Sequence, residues 1–257
     1  MWHQIKAYLI FLYSSTNQHG IHSPFVYNLI TKCFYDKKKK EAYTLLKKYR
    51  AFLTNNQAYI TITDFGAGSK VFKSNKRKIA AIAKNAGISS KKAKLLNRLI
   101  PYLKVNTVLE LGTSLGMGSA AMAAGNNNIN ITTIEGCPET AAVASNAFKT
   151  FKFNTVKLYN DTFETALASL SSQKFDLIYI DGNHQKEATL QYFNQLLMHK
   201  HSKSIFIFHD IHWSAEMEEA WEMIKKHPEI HVTIDIFYWG FVFFRKEQAK
   251  EDFVIRF

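Results

Sequence analysis

From residue 105 to the C-terminus, short apolar runs alternate with segments of helical periodicity. This alternation is typical of a parallel β-sheet whose strands are joined by right-handed helical crossovers, so it predicts an α/β fold. The predicted strands are Thr107–Leu111, Ile129–Glu135, Thr155–Tyr159, Phe175–Asp181, Ser204–His209, Val232–Tyr238 and Phe241–Arg245. The predicted helices are Ser119–Ala124, Glu139–Phe151, Thr162–Ser171, Lys186–Met198 and Ala215–Lys226.

The last two predicted strands are separated only by Trp239 and Gly240. Two residues are too few for a helical crossover, so these strands are predicted to form an antiparallel hairpin. We therefore expect a Rossmann-like, doubly wound sheet of seven strands whose last strand is antiparallel. Dehydrogenases of the Rossmann type instead end in a parallel strand that follows another helix.

Residues 1–94 differ in character and are predicted to form a basic, mainly helical module on the substrate side of a domain at residues 95–257. Residues 1–100 contain 19 Lys and Arg residues against three acidic residues, a formal charge of +16. Such asymmetry often marks contact with an anionic partner, although a solvated lysine-rich surface explains it equally well.

Besides a helix that begins at Ser23-Pro24 and runs through Phe34, and helices within residues 79–103, two further helices are predicted in this part of the chain. The spacing of Trp2, Ile5, Leu9 and Leu12 predicts an amphipathic helix that packs this apolar face on the main body. A second, basic helix is predicted to begin within Lys37–Lys40.

The cysteine content is low and suggests the compartment. Cys33 and Cys137 provide neither a disulfide framework nor a CxxC metal motif, which fits a reducing environment. No run approaches the roughly 18 apolar residues of a membrane span. We therefore expect a cytoplasmic protein.

The strongest local motif runs from Val108 to Ser119. An apolar strand ends near Glu110, the chain passes Gly112, Gly116 and Gly118, and a helix of small residues follows. Glycines let a ligand approach the backbone, and a helix N-terminus offers N–H donors. The next strand ends in Glu135, 25 residues after Glu110, where an acid can accept hydrogen bonds from ribose hydroxyls.

A second segment, Ile60–Ser69, also presents a strand, the acid Asp64 and a Gly-x-Gly sequence. Five basic residues follow within Lys70–Lys78, and no second strand ends in an acid at the expected distance. It competes for the role of cofactor loop, but a turn beside the active site or on a basic face is favoured.

The acid-x-Gly-x-x-x-Gly sequence from Glu110 to Gly116 resembles the first motif of class I methyltransferases that use S-adenosylmethionine (AdoMet). Within this class, the chain is similar to small-molecule O-methyltransferases of the catechol and cephalosporin-hydroxylase-like type. The resemblance covers roughly residues 95–246, including the antiparallel last strand. It implies that the glycine loop binds the methionine part of AdoMet, that Glu135 binds the ribose, and that Asp161 and Thr162 lie near the adenine. The candidate cofactor-binding residues are Glu110, Gly112, Thr113, Ser114, Gly116, Gly118, Ser119, Glu135, Gly136, Asp161, Thr162 and Asp181.

Polar residues follow two later strands. Asp181 and His184 follow one, whereas His209, Asp210 and then His212 follow the next. Because ligands of open α/β sheets bind at the carboxyl ends of the strands, these residues indicate either a divalent metal or general acid–base catalysis. The candidate catalytic residues are Asp181, His184, His209 and Asp210.

In metal-dependent relatives, carboxylates at these strand ends hold Mg²⁺, which implies Asp181 and Asp210 as metal ligands. The sequence His209-Asp210-Ile211 departs from the expected Asp-Asn or Glu-Asp pair, so a metal-free histidine base stays open. If a metal binds, histidine nitrogen favours a transition ion over Mg²⁺.

The favoured function is O-methylation of a small molecule. Asp181-Gly182-Asn183-His184 replaces the Asn/Asp-Pro-Pro-aromatic sequence of nucleic-acid amino-methyltransferases, and neither cysteine lies where cytosine methylation needs a nucleophile. Two alternatives stay open: methylation of RNA or another polyanion docked on the basic module, and a non-catalytic nucleotide-binding module. A homodimer also stays open.

Overall fold

The computed structural model describes residues 2–63, 65, 68, 74–170 and 172–257. The described residues include ten α-helices: α1 Trp2–Ser14, α2 Pro24–Leu29, α3 Glu41–Thr54, α4 Ile79–Asn85, α5 Ser90–Tyr102, α6 Met117–Ala123, α7 Pro138–Thr150, α8 Phe163–Ser169, α9 Lys186–Leu196 and α10 Ala215–Lys226. They also include ten strands: β1 Tyr59–Thr61, β2 Lys76–Lys78, β3 Thr107–Leu111, β4 Asn130–Glu135, β5 Val156–Asn160, β6 Leu177–Ile180, β7 Ile205–His209, β8 Val232–Asp235, β9 Trp239–Phe243 and β10 Glu251–Val254.

The predicted α/β class is confirmed, because helices alternate along the chain with mostly parallel strands. The chain divides into two compact units, one made of Met1–Asp36 with Ser172–Phe257 and the other of Lys37–Ser171. The predicted functional division at residues 94 and 95 stays a prediction.

In the unit Lys37–Ser171, β3, β4 and β5 run parallel in that order. The register pairs Glu110 with Thr133 and Glu135 with Asn160, so polar side chains of neighbouring strands face each other. Strand β3 and helix α6 are almost wholly buried, because β3 is apolar except for Thr107 and Glu110 and α6 consists of small residues and methionine. Small side chains let the helix approach the sheet closely.

In the other unit, β6 and β7 are parallel, and β9 pairs antiparallel with both β7 and β8. The predicted antiparallel hairpin is therefore confirmed, but its turn lies at Ile236–Tyr238 and not at Trp239–Gly240. Phe237 takes the left-handed conformation of this turn (φ 72°), and its N–H donates to Asp235 Oδ1 at 2.7 Å.

Gly240 has a packing role inside β9. A Cβ built on Gly240 would lie 2.7 Å from the ring of Trp221, so a glycine is needed for the close approach of this side chain. The sequence pattern Trp-Gly was misread as a turn because glycine serves both purposes.

The predicted count of seven strands is corrected to eight by β10, which pairs parallel with β8. This strand begins with the exposed acids Glu251 and Asp252, so its sequence carries little apolar signal. The segment after α1 also joins the C-terminus, because Thr16 bridges Ile255 in parallel.

Helix α1 forms as predicted but buries a different face. Ala7 and Phe11 pack with Phe237, whereas Trp2 is 85% exposed and Leu9 is 61% exposed. The predicted apolar face is therefore wrong apart from Leu12, which lies partly buried against this cluster. The helix is apolar on most sides, so periodicity alone did not select the packed face.

Helix α3 begins at Glu41 and not within Lys37–Lys40, because Lys40 is extended (φ −125°, ψ 145°). The partial positive charge of a helix N-terminus favours an acid in the first turn over lysines. No helix among the described residues has the length and apolarity to cross a membrane.

Candidate functional site

Three residues of the loop between β3 and α6 have left-handed backbone conformations. Gly112, Ser114 and Gly116 have φ values of 98°, 48° and 76°. The N–H groups of Gly112 and Thr113 donate to the carbonyl of Ile134 at 3.0 and 3.2 Å. A non-glycine residue at positive φ stores strain, and Ser114 adopts it where the loop meets the end of β4.

Glu135 at the end of β4 fastens this loop. Its Oε2 accepts the N–H of Ser114 at 2.7 Å, and its Oε1 accepts the N–H of Cys137 at 2.9 Å and the hydroxyl of Thr140 at 3.3 Å. The predicted ribose-binding acid therefore lies directly against the predicted methionine loop. A carboxylate offers about four acceptor positions, so bonds to ligand hydroxyls are compatible with this arrangement.

Glu110 in β3 supports the loop through hydrogen bonds from neighbouring hydroxyl groups. Its side chain is buried, and Oε2 accepts the hydroxyls of Ser119 and, at 2.6 Å, of Thr133. The Thr133 hydroxyl also lies 2.6 Å from that of Thr113. This chain of hydroxyls connects a buried carboxylate to the cofactor loop and satisfies its charge.

Tyr49 packs beside this buried acid. Burial, and to a smaller degree the negative charge of Glu110, raises the pKa of Tyr49 far above its usual value. The phenol therefore stays protonated and donates to the carbonyl of Leu115 in the loop at 2.9 Å.

The loop is shorter than predicted. Helix α6 starts at Met117 and not at Ser119, so Gly118 and Ser119 lie inside its first turn. Gly116 is the N-cap that precedes the helix, and Ser119 is fully buried against Glu110.

Asp161 and Thr162 lie between β5 and α8. Thr162 is the N-cap of α8, because its extended backbone lets its hydroxyl accept the N–H of Thr165 at 3.3 Å. Asp161 is exposed and accepts the N–H of Thr162 at 2.7 Å. Its carboxylate thus lies at the surface beside the start of the helix.

The competing glycine segment lies partly outside the described residues, including Asp64 and Gly66. Its first part, β1, forms a two-stranded antiparallel ribbon with β2. The N–H of Thr61 donates to Glu139 Oε2 at 2.6 Å, so this segment lies beside the start of α7.

Phe65 was missed by sequence reasoning. A Cβ built on Gly136 would lie 2.8 Å from its ring, so the aromatic side chain covers the residue after Glu135 while staying 58% exposed. Nothing in the local sequence of either segment predicts this contact, because it joins residues 71 positions apart.

The second group of predicted residues lies in the unit containing β6 and β7. His209 Nδ1 lies 3.1 Å from Asp181 Oδ1 and 3.3 Å from Asp210 Oδ1, whereas His184 Nε2 lies 3.8 Å from Asp181 Oδ1. The structure thus brings together all four predicted catalytic side chains. Asp181, His184 and His209 also have ligand atoms within 4.8 Å of one another, and Asp210 lies outside that set.

The loops that carry these side chains have unusual backbones. Asn183, His184 and Asp210 have φ values of 69°, 45° and 54°. Such conformations in non-glycine residues cluster at functional sites. The N–H of Asp210 donates to the carbonyl of Tyr238 at 2.7 Å, which fixes the turn after β7.

His212 belongs to another cluster. Its Nδ1 lies 2.6 Å from Glu218 and its Nε2 lies 2.8 Å from Asp235. Burial would lower the pKa of His212, but hydrogen bonds and charges from Asp235 and Glu218 raise it above the usual value. The expectation that His212 joins Asp181 is therefore wrong.

The comparison with family models indicates the class of protein that this chain resembles. A family described as "Methyltransferase domain" matches residues 109–211, which include the glycine loop, Glu135 and the group around Asp181. Residues 109–211 are therefore similar to a methyltransferase domain. The resemblance inferred from the sequence is therefore confirmed.

Solved structures support the fold of this methyltransferase domain. The SAH-bound methyltransferase PaMTH1 of Podospora anserina is 16% identical, with 88% of this chain and 97% of that chain covered and a TM-score of 0.63. An O-methyltransferase of Bacillus cereus in complex with SAH is 16% identical, with 84% and 94% covered and a TM-score of 0.55. The O-methyltransferase TomG of Streptomyces achromogenes, in complex with SAM, is 17% identical, with 88% and 97% covered and a TM-score of 0.53. No curated protein matches the chain.

Proposed function

We propose that the protein is an AdoMet-dependent methyltransferase that methylates an oxygen atom of a small molecule. The observation that carries this proposal is the bond between Glu135 and the N–H of Ser114, which joins an acid suited to ribose to a glycine loop suited to the methionine part. The match to a methyltransferase domain and the SAH- or SAM-bound methyltransferases of the same fold, two of them O-methyltransferases, support it.

The residues of the loop fit the cofactor. Glu135 provides a carboxylate that can accept bonds from both ribose hydroxyls, while Gly112 and Gly116 let the ligand lie close to the backbone. AdoMet supplies an electrophilic methyl group on a sulfonium ion. We assign Asp161 and Thr162 to the adenine side and Glu110 to the support of the loop.

The acceptor must lose a proton when its oxygen is methylated. We assign this proton to the group of Asp181, His184, His209 and Asp210. The carboxylates of Asp181 and Asp210 flank Nδ1 of His209, so they can orient the imidazole and stabilise its cation after it accepts the proton. Precise positioning of the acceptor supplies the rest of the rate acceleration.

Calorimetry on the purified protein tests the assignment of the cofactor. We expect AdoMet to bind with micromolar affinity, Glu135→Ala to weaken binding at least about tenfold, and the exposed control Glu41→Gln to leave it unchanged. If NAD⁺ binds and AdoMet does not, the domain is a nucleotide-binding module of another class. If neither binds, the proposed activity is rejected.

A polyanionic acceptor is a second candidate, favoured by one surface. Residues 37–171 contain 21 Lys and Arg residues and seven acidic residues. On the β1–β2 ribbon, the ammonium groups of Lys76 and Lys78 lie 5.8 and 5.4 Å from the ring centre of the exposed Tyr59. Exposed aromatic rings beside cations suit single-stranded nucleic acid.

Titration with a single-stranded RNA oligonucleotide at increasing KCl concentration separates the two acceptors. Binding that weakens with salt and with Tyr59→Ala supports a polyanion, whereas no binding at low salt leaves the small molecule. We favour the small molecule as the acceptor. We also favour a cytoplasmic location, because Cys33 and Cys137 are buried thiols that form no disulfide.

A further inference from the structure

Helix α1 carries a row of large apolar side chains on the side opposite to its packed face. At about 3.6 residues per turn, Trp2, Leu9 and Tyr13 lie about 160–180° around the helix axis from the buried ring of Phe11. Their exposed fractions are 85%, 61% and 96%, so the body of the protein does not cover them. With two neighbours that are about half exposed, they form what we call the outward stripe: Trp2, Ile5, Leu9, Ile10 and Tyr13.

The outward stripe is large for a surface that faces only water. An aromatic side chain offers about 150–250 Å² for burial, so Trp2 and Tyr13 alone leave about 300–400 Å² exposed. With the three aliphatic side chains, the stripe reaches roughly 600 Å², the upper end of the largest apolar patches on ordinary monomers. Patches of this size usually mark a site of contact with another molecule.

The composition of α1 suits contact with a protein. Tryptophan and tyrosine are enriched at the centres of protein interfaces, where charged residues are depleted. Helix α1 contains one lysine, Lys6, and no aspartate or glutamate. A partner that covers the stripe therefore buries apolar surface at little cost in desolvated charge.

The charge around α1 favours a second copy of this chain over a lipid surface. The compact unit that contains α1, made of residues 1–36 and 172–257, has 12 Lys and Arg residues and 14 acidic residues. Helices that bind anionic lipids are instead rich in Lys and Arg, which the negative headgroups attract. A nearly neutral unit can approach its own copy without strong repulsion, although the whole chain carries a formal charge of +12.

The area of the outward stripe fits a weak dimer. A two-fold axis places the same patch on itself, so two copies would bury roughly 600 Å² each and about 1,200 Å² in total. This total lies at the lower limit of specific protein interfaces, which is the range of weak or transient complexes.

The edge strand β10 is a poorer interface between two copies. It pairs with β8 and begins with the exposed acids Glu251 and Asp252. A second copy that paired edge to edge would bring these like charges together, and charges of this kind block edge pairing in natural proteins. The bridge between Thr16 and Ile255 covers part of the same edge.

We propose that the outward stripe of α1 binds the same stripe of a second copy, forming a two-fold dimer with a Kd of about 1–100 μM. Leu9 lies near the middle of the stripe, with an aromatic ring toward each end of the helix, Trp2 and Tyr13. The proposal is independent of the proposed methyl transfer, since association is measured without AdoMet. At concentrations well below this Kd the chain is a monomer, so unfolding of dilute protein does not report on the stripe.

Sedimentation equilibrium of the full chain tests the proposal. At protein concentrations of about 0.5–200 μM, the average mass should rise from that of one chain, 29.6 kDa, toward twice this value. The midpoint of thermal unfolding should also rise with protein concentration, because dimerisation stabilises the folded chain. A mass of one chain at every concentration, or an assembly of more than two copies, would overturn the proposal.

Substitution identifies the interface. Leu9→Glu should weaken dimerisation at least about 100-fold, because the two-fold axis places two like charges in an apolar contact. The matched control is Met223→Glu, which adds the same charge at a 51% exposed position on α10 of the same unit and should leave the Kd unchanged. Circular dichroism verifies that both variants are folded. Equal Kd values for Leu9→Glu and the unmodified protein would show that α1 is not the interface.

A lipid surface is the competing occupant of the outward stripe. Vesicles that contain phosphatidylserine are sedimented with the unmodified protein and with Leu9→Glu. We expect neither protein to sediment with the vesicles at physiological ionic strength. Sedimentation of the unmodified protein alone, together with a monomeric mass in solution, would assign the stripe to a membrane and overturn the dimer.

Discussion

The carboxylate of Glu135 accepts the backbone N–H of Ser114 at 2.7 Å, across the gap between the ends of β4 and β3. Because Ser114 has a left-handed backbone, this bond holds a strained loop in one conformation. The same acid also accepts the N–H of Cys137, the residue that precedes α7. A single side chain therefore shapes the loop and remains placed to bind a ligand.

Loss of this carboxylate should destabilise the protein. We expect Glu135→Ala to lower the free energy of unfolding by about 2 kcal/mol, because the donors of Ser114, Cys137 and Thr140 lose a charged acceptor. Urea denaturation followed by circular dichroism measures the change. A loss below about 0.5 kcal/mol, the usual size for a surface substitution, would contradict this role.

The hydrogen-bonded hydroxyls of Thr133 and Thr113, which connect Glu110 to the loop, give a second prediction. Thr133→Val removes the hydroxyl that lies between Glu110 and Thr113 and should cost about 1–3 kcal/mol of stability. The matched control is Thr132→Val, one position earlier on the same strand and only partly buried. Equal unfolding midpoints for the two variants would show that the hydroxyl chain does not stabilise the loop.

The packed face of α1 is tested by two truncations. Phe11→Ala should cost about 3–5 kcal/mol, because the Phe11 ring is buried against Phe237 at a centroid distance of 5.5 Å. Leu9→Ala, on the exposed side, should change stability by less than about 0.5 kcal/mol. Thermal unfolding of both variants measures the contrast, and the reverse order would restore the face predicted from the sequence.

His212 should make stability depend on pH. Its charged form is held by Asp235 and Glu218, and Glu218 also lies 3.5 Å from His3. Because the folded pKa of His212 is raised, its contribution is fully present below the unfolded value of about 6.5 and is lost as pH rises through the folded value. We expect the free energy of unfolding to decrease over this interval.

Urea titrations at several pH values measure this decrease. His212→Gln should flatten it, because glutamine keeps a hydrogen-bonding group without a titrating charge. His231→Gln serves as the control, since the His231 ring is bonded to the carbonyl of Glu229 and not to a carboxylate. An unchanged slope in His212→Gln would contradict the prediction.

The sequence pattern was sufficient to predict the bounds of an element where residues within or next to that element mark them. Strand β3 and helix α10 have the predicted bounds, because a short apolar run marks the strand and the cap residue Ser214 precedes the helix. The gathering of Asp181, His184 and His209 was also predictable, since carboxyl ends of neighbouring parallel strands meet at one edge.

Features that depend on distant contacts were not predictable. The glycine at position 240 is required by the ring of Trp221, and the buried face of α1 is chosen by Phe237. The contact of Phe65 with Gly136 likewise joins separate segments. In each case the deciding partner lies far away in the sequence, so periodicity and propensity carry no information about it.

A crystal structure of the protein grown with S-adenosylhomocysteine tests the central claim most directly. We predict that both ribose hydroxyls donate to the Glu135 carboxylate at about 2.5–2.7 Å, and that the amino-acid part of the ligand lies along residues 112–116. A ligand bound elsewhere, with Glu135 contacting only protein groups, would contradict the assignment of this loop as the cofactor site.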